Sequence, residues 1–218
     1  MNIKKKFTES DLKRIKDAVK VAEDKISGEI VPVIVDRSGE YAIANYKGCL
    51  LGASLAYVTM ILLDRYVIDP SHTLFYDPVF IFAVVTLAGL LGAWIPAISD
   101  PVKRFLVTQR YQDHATRQRA ENAFLEEEVF NTRQRTGIMI FISFFEHEVI
   151  VMADSGISKV VDQKQWDRIV ADLIQNIRNG QIVEGLEQGI KQCGAILLEK
   201  GFGKTQDDVN ELRDDLRV

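Results

Sequence analysis

PVFIFAVVTLAGLLGAWIPAI, residues 78–98, carries no charged side chain, and how it is read decides the fold. Roughly 20 apolar residues at about 1.5 Å rise each span a bilayer hydrocarbon core of about 30 Å. Gly89 and Gly92 suit close packing against a second helix. Trp94 lies near the end of the run, where interfacial aromatics collect. A buried helix of a soluble protein is the other reading, but such helices usually carry polar positions at this length. A second apolar run, residues 48–63, stops at Asp64-Arg65. It reaches spanning length if Tyr46 and Lys47 snorkel at one end and residues 66–68 continue past the acid–base pair. The two runs together predict a helical hairpin that meets the lipid bilayer through residues 46–98.

Basic residues set the expected orientation. Lys4, Lys5, Lys6, Lys25, Arg37 and Lys47 precede the hairpin, and Lys103, Arg104, Arg110, Arg117 and Arg119 follow it. The connection between the helices, residues 64–77, holds Arg65 alone. The positive-inside rule then predicts a two-pass protein of the inner (cytoplasmic) membrane with both termini in the cytoplasm. The basic N-terminus leads into an amphipathic charged segment instead of an apolar h-region, so it does not read as a signal peptide.

The rest of the 218-residue chain is polar. A mean hydropathy of -0.01 averages over this segregation, and the net charge of -4 is mild, where a nucleic-acid binder more often shows a basic face on a basic domain. Cys49 and Cys193 have no ligand spacing and read as small core hydrophobes.

Thr8-Glu9-Ser10-Asp11 opens a helix in the manner of a capping box, with Asp in place of Glu or Gln. Leu12, Ile15, Val19, Ala22 and Ile26 form one stripe at helical spacing, with Gly28 as its stop. Ile-Val-Pro-Val-Ile-Val at 30–35 is a strand, and Pro32 points to an edge position or a bulge. After the hairpin, Ser99-Asp100-Pro101 starts the first of one or two amphipathic helices reaching to residue 132, the first lying against lipid headgroups.

Residues 136–145 read as a strand buried on both faces, Glu146-His147 as a turn, and residues 148–153 as a second strand. Asp162 caps a helix ended by Asn179-Gly180. A last helix carries Gly185 and Gly189, which allow close approach. The tail from Lys204 is charged and reads as frayed or weakly helical.

One helix and one strand cannot bury a core alone, so residues 1–45 are expected to complete residues 99–203 across the 46–98 hairpin, leaving 204–218 as a tail. The fold class is α/β: an α/β/α sandwich with a small mixed β-sheet, interrupted by a two-helix transmembrane hairpin.

The order of elements resembles a known family. It runs through Val35-Asp36-Arg37-Ser38, Arg135-Thr136-Gly137-Ile138, Glu146-His147-Glu148 and Ala153-Asp154-Ser155-Gly156-Ile157 to Trp166 and the 180–189 segment. This resembles the TPM domain of thylakoid-lumen and bacterial membrane proteins over nearly everything outside the hairpin, most strongly at 124–198. The resemblance implies the sandwich fold and, for some members, divalent-metal binding or weak acid-phosphatase activity. Many bacterial relatives carry their membrane segments at an end of the domain, whereas here they interrupt it.

The candidate site is Asp154, Ser155, Gly156 and Asp162. Two carboxylates with turn carbonyls could hold Ca²⁺ or Mg²⁺, while an Asx turn at Asp154 and an N-cap at Asp162 explain the same residues structurally. If the first strand runs parallel to the second, Asp154 emerges beside Arg135 and Asp36 exits at the other end. No Cys-x5-Arg loop, Asp-x-Asp-x-Thr start or histidine cluster is present, and His72, His114 and His147 are scattered. The expected function is a membrane-anchored accessory or binding domain acting on a membrane or membrane-proximal protein. A metal-dependent phosphatase and a structural organiser that self-associates through Gly48, Gly52, Gly89 and Gly92 are the alternatives.

Overall fold

The computed structural model describes residues 6–66, 77–205 and 210–217. Its sheet has three strands, β1 (Glu29–Val35), β2 (Gly137–Ser143) and β3 (Glu148–Ala153), in spatial order β1-β2-β3. β1 and β2 are parallel, with Glu29 opposite Gly137 and Val35 opposite Ser143; β2 and β3 form an antiparallel hairpin. A parallel pair needs a crossover, and this one contains the whole helical insertion.

The strand period of two divides the apolar residues between two faces. Ile30, Ile34, Ile138, Ile140 and Ile142 pack with helices α1 (Glu9–Glu23), α7 (Gln163–Arg178) and α8 (Ile182–Glu199). Val31, Val33, Met139 and Phe141 pack with Ala120 and Ala123 of α5 (Gln109–Glu126) and with Val129. The result is the α/β/α sandwich, and every residue of the central strand β2 is buried.

α1 starts with the capping box at Thr8 and Asp11. Ile15, Val19, Ala22 and Ile26 are buried as expected, but Leu12 is substantially exposed. α1 ends at Glu23 with Asp24 as its cap, so Gly28 is not the stop. A Cβ at Gly28 would lie 2.9 Å from Leu197 Cδ1 and 3.0 Å from the Thr136 carbonyl, so this glycine admits the start of β1 between β2 and α8. Glu23 joins α1 to β1 by accepting the Ile30 N–H at 2.8 Å, and burial pushes its carboxyl up to about 8.

α7 takes Asp162 as its N-cap, and Gly180 follows its end at φ 78°. α8 packs on α7 with Gly189 against the Leu173 side chain and Gly185 against Asn176, side-chain contacts where the sequence suggested backbone approach. Cys193 is fully buried there. The tail departs from the frayed expectation: the Ile34 N–H donates to the Arg217 carbonyl at 2.8 Å and the Arg217 N–H to Pro32 at 3.0 Å. Pro32, with no N–H of its own, sits on this otherwise open edge of β1, which the tail covers.

The chain divides into two compact units, the residues up to Ser38 together with those from Asp113, and residues 39–112. The second unit holds α2 (Ile43–Tyr66), α3 (Pro78–Ile98) and α4 (Asp100–Leu106). α2 and α3 are long and apolar enough to cross a membrane, and few of their residues are fully buried. α2 continues through Asp64-Arg65 to Tyr66, which supplies the length its apolar run lacks. The two helices meet through glycines: a Cβ at Gly48 would fall 2.2 Å from the Gly92 carbonyl oxygen, and one at Gly52 would fall 2.5 Å from that of Ala88. Gly89 faces Cys49 and Ala53. These four glycines therefore lie in the contact between α2 and α3.

Candidate functional site

At the amino end of β2 the chain makes two close passes. Arg135 takes φ 57°, and a Cβ on Gly137 would lie 2.0 Å from the Val129 carbonyl oxygen. Gly156 donates its N–H to the Arg135 carbonyl at 3.0 Å, and its own Cβ would meet the Gln134 and Arg135 carbonyls at 2.5 and 2.6 Å. The Arg-Thr-Gly and Asp-Ser-Gly motifs are thus two halves of one packing device that only glycine permits.

Asp154 is buried at this junction. One carboxylate oxygen accepts the Ser155 N–H at 2.5 Å, starting the short helix α6 (Ser155–Ser158), and the other lies 2.9 Å from Arg135 Nε. Arg135 also sits 5.8 Å from the Phe130 ring centroid. Asp162 is exposed and accepts the Lys164 N–H at 3.2 Å. Asp154 is therefore neutralised by a guanidinium and Asp162 is engaged as a cap. A Ca²⁺ or Mg²⁺ ion requires six or more oxygens, and this donor set fits one poorly. Among the described residues no group of three or more His, Cys, Asp or Glu side chains is arranged to hold a metal ion. Ser27, Gly28, Glu29, Arg133, Thr136 and Glu211 line a small cleft at the same end, where the Glu29 carboxylate accepts the Glu211 N–H at 2.9 Å.

The carboxyl ends of β1 and β2 carry a second polar cluster, which sequence reasoning missed. Glu146 is buried; it accepts the Ser38 N–H at 2.9 Å and the Ser143 hydroxyl, while the Ser38 hydroxyl bonds Ser143 at 2.9 Å. Glu148 follows, hydrogen-bonded to Asp113 and Thr116. Burial and then the Asp113 carboxyl push Glu148 up to about 7. Asp36 lies at this end of the sheet, away from Asp154, as the parallel pairing requires. The one signal available was Ser143 three residues before a glutamate in a strand turn; the partner Ser38 is 105 residues away. His147 occupies the turn at φ 57°, His114 is exposed on α5, and His72 lies outside the described residues.

Fold and site together define a small α/β/α domain, with hydroxyl–carboxyl clusters at its strand ends, interrupted by an apolar helical hairpin. Its second half is more specific: residues 102–196 match the family model of the TPM domain. α1 and β1 precede the matched stretch; β1 pairs with β2 and α1 packs in the same core. The chain is also similar in fold to the NMR structure of BA42 protein from the psychrophilic bacterium Bizionia argentinensis. That match has a TM-score of 0.58 at 19% identity, covering 97% of this chain and 94% of that one. No curated protein sequence matches.

Proposed function

We propose that the protein is a two-pass membrane-anchored TPM-domain accessory protein, whose α/β domain binds a membrane or membrane-proximal protein partner. The observation that carries this reading is the apolar hairpin. Leu50, Leu55, Phe82, Leu87 and Leu90 project from it outward, and both helices lie within one crossover of the sheet. Outward leucines along two helices of 24 and 21 residues match the thickness and chemistry of a bilayer core. A hairpin also returns the chain to the side it left, so the interrupted domain can close.

The test is fractionation of the full chain in a bacterial host. Retention in the membrane pellet after an alkaline carbonate wash, with release only by detergent, is the expected result; release by the wash overturns the reading. A reporter fused at residue 218 should be cytoplasmic, and one placed between the helices should be on the opposite side. The calcium or magnesium dependence implied by the family resemblance is tested in the detergent-solubilised full chain. Saturable amide shifts at Asp154, Ser155 and Asp162 would support it. A flat titration would remove it, together with a metal-dependent phosphatase.

A further inference from the structure

We propose that α4 is an interfacial wedge that seats Phe105 at the acyl-chain edge of an anionic bilayer, in register with the end of the hairpin where α2 starts and α3 stops. This rests on the membrane reading above and adds to it a depth, an anchor residue and a lipid charge.

The polarity of α4 is inverted. Lys103 is 8% exposed, whereas Phe105, two residues on, is 88% exposed. In water that arrangement wastes the apolar side chain and buries the cation; a lipid surface reverses the balance. Looseness does not explain the exposure, because α4 is clamped. Lys47 Nζ donates to the Leu106 carbonyl at 2.8 Å, and Gln112 Nε2 donates to the Arg104 and Val107 carbonyls, each at 3.1 Å. Val107 is buried behind it, and Tyr111 stacks edge-on against the buried Tyr41 at 5.9 Å. The clamp holds Phe105 outward.

The position along the hairpin agrees. Gly48 lies against Gly92 and Pro96, so the start of α2 and the end of α3 are at one end. Tyr46 and Trp94 are exposed at that end, where a bilayer collects aromatics, and α4 begins two residues after α3 stops. In the segments next to those helix ends, residues 39–47 and 99–112, Lys47, Lys103, Arg104 and Arg110 outnumber Glu40 and Asp100, an excess of positive charge suited to phosphate headgroups.

The experiment places a fluorophore at position 105. Phe105→Cys is labelled with an environment-sensitive dye in the full chain carrying Cys49→Ala; Cys193 is fully buried and stays in place. A Leu87→Cys variant, on an outward position of α3, is labelled in parallel. Both are reconstituted in nanodiscs of phosphatidylcholine with or without phosphatidylglycerol, containing lipids with nitroxides at known depths. Position 105 should be quenched most strongly by shallow nitroxides, about 5–10 Å below the headgroups, and position 87 by deep ones. Spin-labelled phosphatidylglycerol should quench position 105 severalfold more than spin-labelled phosphatidylcholine, and Arg104→Gln with Arg110→Gln should abolish that preference. An unquenched 105 beside a quenched 87 overturns the wedge and leaves the membrane reading standing. Equal quenching by both lipids overturns the anionic preference. If neither position is quenched, the membrane reading fails and the wedge with it.

Discussion

β2 and α3 are both runs of branched aliphatic and aromatic side chains, yet they meet opposite surroundings. All seven residues of β2 are buried, whereas α3 buries only Gly89 and Pro96 out of 21. In β2 the large side chains point into protein on both faces and nothing apolar is left over. In α3 the smallest residues point inward and the large ones outward, the reverse of a soluble helix. Composition alone makes the two look alike; which residues face the neighbour tells them apart.

The comparison breaks most readily on matched truncations. Ile140→Ala in β2 should cost roughly 2–5 kcal/mol, because the site is closed on all sides. Leu90→Ala on α3 should cost about 0.5 kcal/mol or less in the detergent-solubilised protein, since Leu90 is 62% exposed. Comparable losses at the two positions would mean that α3 is a core helix.

Next is Gly92→Val, whose Cβ would fall 2.3 Å from the Gly48 carbonyl oxygen. It should force the helices apart and lower stability by about 1–3 kcal/mol, while Ala88, one turn earlier on the same face of α3, should tolerate Gly. Measured thermal melts of the two variants in one detergent decide this.

Within the α/β domain, Asp154→Ala should cost roughly 1–3 kcal/mol and Asp162→Ala about 1 kcal/mol. The first leaves the Arg135 side chain without its carboxylate, and the second removes an exposed cap only. Equal losses would argue against the Arg135–Asp154 pair as the lock of this end.

The smallest effect is on pH. Glu148 titrates near 7 in the folded chain against an ordinary 4.5, so the folded state holds the proton longer than the unfolded one. Its contribution is fully present below about pH 4.5 and is lost as pH rises toward 7. Glu148→Gln should flatten that part of the stability profile; because the side chain is only partly buried, a shift of a few degrees in Tm is expected. An unchanged profile in the variant would place the proton elsewhere.

Several features were legible in the residues themselves. The caps at Thr8 and Asp162 are local, since a side chain bonds an N–H two or three positions away. The burial of β2 and the apolar hairpin follow from unbroken hydrophobic runs. The antiparallel β2–β3 hairpin followed from the short Glu146-His147 turn, whereas the parallel pairing of β1 with β2 was only a condition of the reading. The Ser38–Ser143–Glu146 cluster was invisible, because its members are brought together by strand register and not by spacing. Asp154 was read as a candidate metal ligand or an Asx turn for the same reason. Its counter-ion Arg135 was expected nearby, but the ion pair depends on a backbone turn at positive φ that no pattern reveals.

The tail and the glycines make the same division. Charge marked 204–218 as solvated, yet the open edge of β1 supplies N–H and C=O groups that recruit Arg217. Gly48, Gly52, Gly89 and Gly92 advertised a close helix contact, and only the packed hairpin decided that the partner was the same chain. By itself the sequence determined period, caps and the apolar segments, because those depend on neighbours within a few residues. The tertiary structure decided which polar groups meet and which glycines touch, because those depend on how distant segments satisfy one another's hydrogen bonds and volume.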